Sequence, residues 1–77
     1  MKNIIKAAKL AFPEVNTLKI DKHSMLSDLP GWDSMNAVNF MLSVNECCEV
    51  DIEGFPLYDK VTFNEVMLEV MRRGGNV

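Results

Sequence analysis

Apolar residues in this chain recur with a helical period in three separate stretches, and no alternating strand pattern survives beyond four residues. That periodicity restricts the chain to an all-α fold. In the first stretch, Lys2 to about Phe12, Ile4, Ile5, Ala8, Ala11 and Phe12 share one side of a helical wheel, and Lys2, Lys6 and Lys9 lie opposite. Pro13 ends it, because a proline disfavours the helical conformation of the residue before it.

The strongest stretch runs from Ser34 to about Glu49. Ala37, Phe40, Met41, Val44 and Cys48 cluster on its core side, and Asn36, Asn39, Ser43 and Glu46 face away. Met35, Val38 and Leu42 form a second apolar stripe inside the polar arc. Asp33 is the expected N-cap, since its carboxylate can accept from a free backbone N–H and suits the positive end of the helix dipole. In the last stretch, Thr62 and Glu65 have the spacing of a capping box. Phe63, Val66, Met67, Val70 and Met71 give its apolar face, Arg72 and Arg73 complement its C-terminal end, and Gly74-Gly75 stops it.

Glu14 to Asp33 shows no sustained period and is expected to be a long connection, pinned by Leu18, Ile20, Met25, Leu26 and Leu29. Connections of this length are uncommon in compact domains and are often functional. Ser24-Met25-Leu26-Ser27 could make one helical turn, and Pro30-Gly31 signals a turn. Pro56 could open a short helix reaching about Lys60. The expectation is one domain, residues 1–77. It is a small four-helix bundle of three main helices plus a short third helix, with a long first loop.

Seventy-seven residues bury only about 60% of their unfolded surface, which leaves little material to wall a deep catalytic pocket. A carrier, adaptor or interaction module is expected rather than an enzyme. Eight basic residues against eleven acidic give a net charge of −3, without the basic face that nucleic-acid binding requires. The Lys2/Lys6/Lys9 face suits at most a weak membrane-surface contact. Nothing nears the roughly 20 apolar residues of a membrane span. Lys6 and Lys9 interrupt the first apolar run, unlike a signal peptide. Adjacent Cys47 and Cys48 make neither a disulfide framework nor a CxxC pair, so a cytoplasmic location is expected.

Few residues here could carry catalysis. His23 is the one histidine, and no GxSxG elbow accompanies Ser34, so His23 reads as a solvent-facing loop residue. The cysteine side chains diverge by about 100° on a helix, and no zinc set assembles. Cys48 falls on the core stripe and Cys47 at its edge. The six methionines either fill irregular gaps or provide a deformable interior. The informative segment is Leu29-Pro30-Gly31-Trp32-Asp33-Ser34-Met35, which puts a hydroxyl at a helix start after a long loop. An anion attached there would meet free backbone N–H groups and the positive dipole end. The Met35/Val38/Leu42 stripe begins beside it. Taken alone, a serine at a helix start is most simply part of the cap.

Asp33-Ser34-Met35, within LSDLPGWDSM, resembles the modification site of the acyl carrier protein family. That family also includes the carrier domains of polyketide and nonribosomal peptide synthesis. The long loop, the serine-started helix with Val38 and the Thr62-Phe63 start of the last helix follow in the family's order, so the resemblance covers essentially the whole chain.

It implies a four-helix bundle with no activity of its own. The serine of such a protein receives 4′-phosphopantetheine from coenzyme A through a separate phosphopantetheinyl transferase. Its terminal thiol then carries an acyl or aminoacyl group as a thioester between loading and transferring enzymes. Carried over, Ser34 is the attachment point, Asp33 its motif neighbour, and Met35, Val38 and Leu42 the partner-binding stripe. Asn36 and Asn39 stand where fatty-acid carriers commonly have acids, and Trp32 is more like dedicated carriers. This implies a monomeric carrier in a modified fatty-acid, polyketide, peptide or surface-polysaccharide pathway. The alternative is a helical interaction module that carries nothing and binds a partner directly through Met35/Val38/Leu42.

Overall fold

The computed structural model describes all residues, Met1–Val77, and has three α-helices and no strands. The helices are α1 (Lys2–Ala11), α2 (Ser34–Cys48) and α3 (Phe63–Arg72), with 3-10 turns at Thr17–Lys19 and Leu26–Asp28 in the first loop. No helix is long and apolar enough to cross a membrane. The starts of α2 and α3 carry out what their sequences dictate. The Asp33 carboxylate accepts from the Asn36 N–H at 2.8 Å, and Thr62 and Glu65 bond reciprocally at 3.2 Å.

The core joins Ile4, Ala7, Ala8 and Phe12 of the first segment to Phe40, Val44 and Cys48 of α2 and Phe63, Val66 and Val70 of α3. Leu26 and Leu29 pin the first loop into it, and Ile52 pins the loop after α2. Ala7 belongs to this core although it stands outside the expected stripe, because a small side chain lets α1 lie close to its neighbours. Met71, expected on the core face of α3, is exposed. Its place at the helix end lies beyond the edge of the buried arc set by Phe63, Val66 and Val70.

The short helix expected over Pro56–Lys60 does not form; that segment is irregular. Its Asp59 carbonyl and the backbone just after it pair with the first loop. The carbonyls of Asp59 and Val61 accept from the N–H groups of Ser27 and Leu26 at 3.0 and 2.8 Å, and Ser24 and Lys22 accept from Phe63 and Asn64. A five-residue helix could close only about one i→i−4 bond, too little to offset the cost of nucleation. The first loop is thereby stitched to the approach to α3, with an isolated bridge between Met25 and Thr62.

The ends of α2 and α3 share a closing N–H bond to the carbonyl five residues back. After α3, the N–H groups of Gly74 and Gly75 donate to Met71 and Val70, with Gly74 at φ +83°. After α2, Glu49 takes the left-handed position at φ +52°, and Val50 donates to the Asn45 carbonyl. Gly75 then passes so near Val50 and Val70 that a Cβ there would lie 2.7 Å from each.

Candidate functional site

The segment before α2 is held rigidly for a loop. Trp32 stacks on Phe12 with ring centroids 5.8 Å apart and meets Phe40 edge-on at 6.1 Å; Phe40 in turn meets Phe63 at 6.0 Å. This aromatic chain ties the residue two before Ser34 to α1, α2 and α3 at once, and such geometries add stabilisation beyond buried area. Gly31, at φ +76°, makes the turn that precedes it. The Asn36 side-chain amide donates to the Gly31 carbonyl at 2.8 Å and closes that turn onto the first turn of α2.

Ser34 follows, exposed, in the first turn of the helix. Its hydroxyl makes no hydrogen bond within the chain, because the capping position belongs to Asp33. The Asp33 carboxylate occupies the Asn36 N–H, which leaves the backbone N–H groups of Ser34 and Met35 without partners. A phosphoester on the Ser34 Oγ would therefore have open space, two free donors and the positive end of α2. The nearby Asp33 carboxylate opposes it in charge but is already bonded.

A shallow depression of about 260 Å³ lies beside Ser34, lined by Ala37, Val38 and Met41 of α2 and by Phe55 and Leu57 from the following loop. Phe55 and Leu57 are the residues sequence reasoning passed over here. They sit in a segment without apolar period, and only the fold brings them back to the start of α2. A larger depression of about 420 Å³ crosses the first loop between Glu14 and Phe63 and does not include Ser34.

The second apolar stripe of α2 faces outward, with Met35 78%, Val38 53% and Leu42 55% exposed. Asn36 and Asn39, expected on its polar rim, do not behave alike. Asn39 is exposed, whereas Asn36 is half-buried and its amide is spent on Gly31.

His23 is exposed in the Asp21–Ser24 turn, where its backbone N–H donates to the Asp21 carboxylate at 2.7 Å, and it does not line the depression beside Ser34. Cys47 is half-buried. Cys48 is buried, and burial, reinforced by neighbouring Cys47, pushes its thiol up to about 11. No group of three or more His, Cys, Asp or Glu side chains is placed to hold a metal ion. Compared with known protein families, with curated proteins and with solved structures, the chain matches none.

Proposed function

We propose that this chain is a carrier protein whose Ser34 receives 4′-phosphopantetheine from coenzyme A and then holds an acyl or aminoacyl group as a thioester. The carrying observation is the state of Ser34: an exposed hydroxyl, free of internal hydrogen bonds, on a rigidly anchored helix start with two free N–H donors beside it. On this reading the chain has no catalytic activity of its own. A phosphopantetheinyl transferase would supply the base that takes the Ser34 proton, the Oγ–phosphorus bond forming as the pyrophosphate bond of coenzyme A breaks and adenosine 3′,5′-bisphosphate leaves; the arm would supply the thiol for the thioester. The chain's own residues present and orient the attachment point. Asp33 fixes the helix start, Trp32 and Asn36 fix the loop before it, and the depression walled by Val38, Met41, Phe55 and Leu57 offers apolar surface to whatever the arm carries.

The four-helix architecture of such carriers belongs to this proposal. Pro56–Lys60 stands where the short third helix would lie, and in this chain the stretch is an irregular wall. The partners are the transferase and the loading and transferring enzymes, which dock on Met35, Val38 and Leu42. The protein acts as a cytoplasmic monomer in a specialised rather than a housekeeping pathway, since α2 lacks acids near Ser34.

Intact-mass analysis of the protein from its native cells tests this. The expected spectrum shows added mass on Ser34 in two parts, an acyl group released by neutral hydroxylamine and a phosphopantetheine that remains. An unmodified Ser34 in cells that modify their other carriers would favour the interaction-module reading.

A further inference from the structure

We infer that the exposed ridge of α1, with the turn at Thr17–Lys19 beside it, is a contact surface for an anionic lipid membrane. The inference extends the carrier reading without resting on it, since none of the residues it uses lines the depression beside Ser34.

At 100° per residue, Lys9, Lys2, Lys6 and Leu10 follow one another around an arc of about 100°, within about 10 Å of helix length. All four are exposed, and Leu10 keeps 57% of its surface in water. The ridge carries no acid: residues 1–13 hold three of the eight basic side chains and none of the eleven acidic ones. No carboxylate pairs with these lysines. The Lys9 ammonium donates to the Pro13 carbonyl at 2.6 Å, and the ion pairs of the fold are those of Arg72 and Arg73 with Glu69. The Thr17–Lys19 turn packs against α1. In it Leu18 is 94% exposed, the most exposed of the large apolar side chains. The turn is held in place, because the Leu18 N–H donates to the Asn16 side-chain oxygen at 3.1 Å and Ile20, just beyond, packs against the core. Lys19 and Lys22 are exposed on the same loop, but so are Glu14 and Asp21, so α1 supplies the net positive charge.

Charge and shape together select the occupant. The chain beyond residue 13 has five basic residues against eleven acidic, so an anionic bilayer attracts α1 and repels the remainder, which fixes the side presented. At a bilayer surface the lysine ammoniums stay at headgroup level while the leucines enter the acyl boundary, and they need no shape-matched pocket there. A nucleic acid uses the lysines but gives Leu10 and Leu18 no partner, and the ridge offers no aromatic ring on which bases could stack. An acidic protein, or the acidic side of a second copy, pairs the lysines too, but must carry separate pockets for two leucines on different elements. Three lysines and two leucines make a weak, reversible contact. On the carrier reading, the protein visits the membrane with its cargo and is not anchored there.

The test is co-sedimentation of the unmodified protein with vesicles of mixed phosphatidylcholine and phosphatidylglycerol, against vesicles of phosphatidylcholine alone. Binding is expected on the anionic vesicles at low salt, with little on the neutral ones, and should fade by about 0.3 M salt. Lys2→Gln and Lys6→Gln should each lower the partition coefficient roughly fivefold, whereas Lys60→Gln, outside the surface, should leave it within about twofold. Leu10→Ser and Leu18→Ser should each lower it roughly threefold. All five side chains are exposed, so unchanged helical circular dichroism is expected for each variant. No binding, equal binding to both kinds of vesicle, or an equal loss in Lys60→Gln would overturn the inference. So would leucine variants that bind like the parent, or self-association of the lipid-free protein that Lys6→Gln abolishes. The sample carries no group on Ser34, so the contact can fail while Ser34 is modified, and the converse.

Discussion

The side-chain amide of Asn36 bonds to the carbonyl of Gly31 at 2.8 Å, across the turn that delivers Trp32, Asp33 and Ser34 to the start of α2. A position that the helical wheel assigns to the partner-facing rim is thus an internal clamp. An aspartate there has no proton to donate at neutral pH and would set a carboxylate against a carbonyl oxygen. Adding acids near Ser34 to imitate a fatty-acid carrier therefore suits Asn39 and not Asn36.

Gly75 has no room for a side chain. A Cβ would lie 2.7 Å from Val50 and Val70 and 3.0 Å from the Cys48 carbonyl oxygen. Gly75→Ala is expected to lower stability by about 1–3 kcal/mol, the usual cost of overpacking. Urea melts check this, and an unchanged midpoint would show that the tail does not pass between the ends of α2 and α3.

The capping box and the core residue beside it should separate by size. Thr62→Ala should cost about 1 kcal/mol through loss of the cap. Phe63→Ala should cost roughly 3–5 kcal/mol, because Phe63 is fully buried against Phe40. In a domain with only about 5 kcal/mol to lose, the second change brings the chain close to unfolding. Equal effects in urea would contradict the placement of Phe63.

The two adjacent thiols should react at different rates. Burial holds Cys48 protonated, at about 11, while Cys47 is half-buried. A disulfide reagent at pH 8 should modify one thiol per native molecule, mapped to Cys47, and reach Cys48 only on unfolding. Equal rates in the native protein would mean that the core opens around Cys48.

Glu69 should shape stability in acid. Hydrogen bonds from Arg72 and then Arg73 lower its carboxyl to about 2. A carboxyl held below its ordinary value of 4.5 stabilises the fold above that value, and the contribution fades as pH falls from there towards 2. Glu69→Gln should therefore be less stable than the parent at neutral pH, with the gap closing over that acid range. A gap independent of pH would show that the bonds to Arg72 and Arg73 carry no ionic contribution.

The helices were legible in the sequence because their signals are local. Asp33 caps α2, Thr62 and Glu65 box α3, and Pro13 and Gly74-Gly75 bound the outer helices. Met35, Val38 and Leu42 stand out on a wheel and are exposed. What escaped depends on distant pairing. Pro56–Lys60 has a good helix-opening residue, yet its Asp59 carbonyl is claimed by Ser27, and the Val61 carbonyl just after it by Leu26, some thirty positions earlier in the chain. Phe55 and Leu57 join the depression beside Ser34 because Ile52 is buried and Asn45 and Arg73 hold the loop around it. No periodicity records such a clamp.

The most direct measurement is the mass of the protein after incubation with coenzyme A, Mg²⁺ and a broad-specificity phosphopantetheinyl transferase. The expected result is a gain of one phosphopantetheine, mapped to Ser34 and lost in Ser34→Ala with the helical signal intact. No gain, or a gain at Ser24, Ser27 or Ser43, would contradict the assignment of Ser34 as the attachment point.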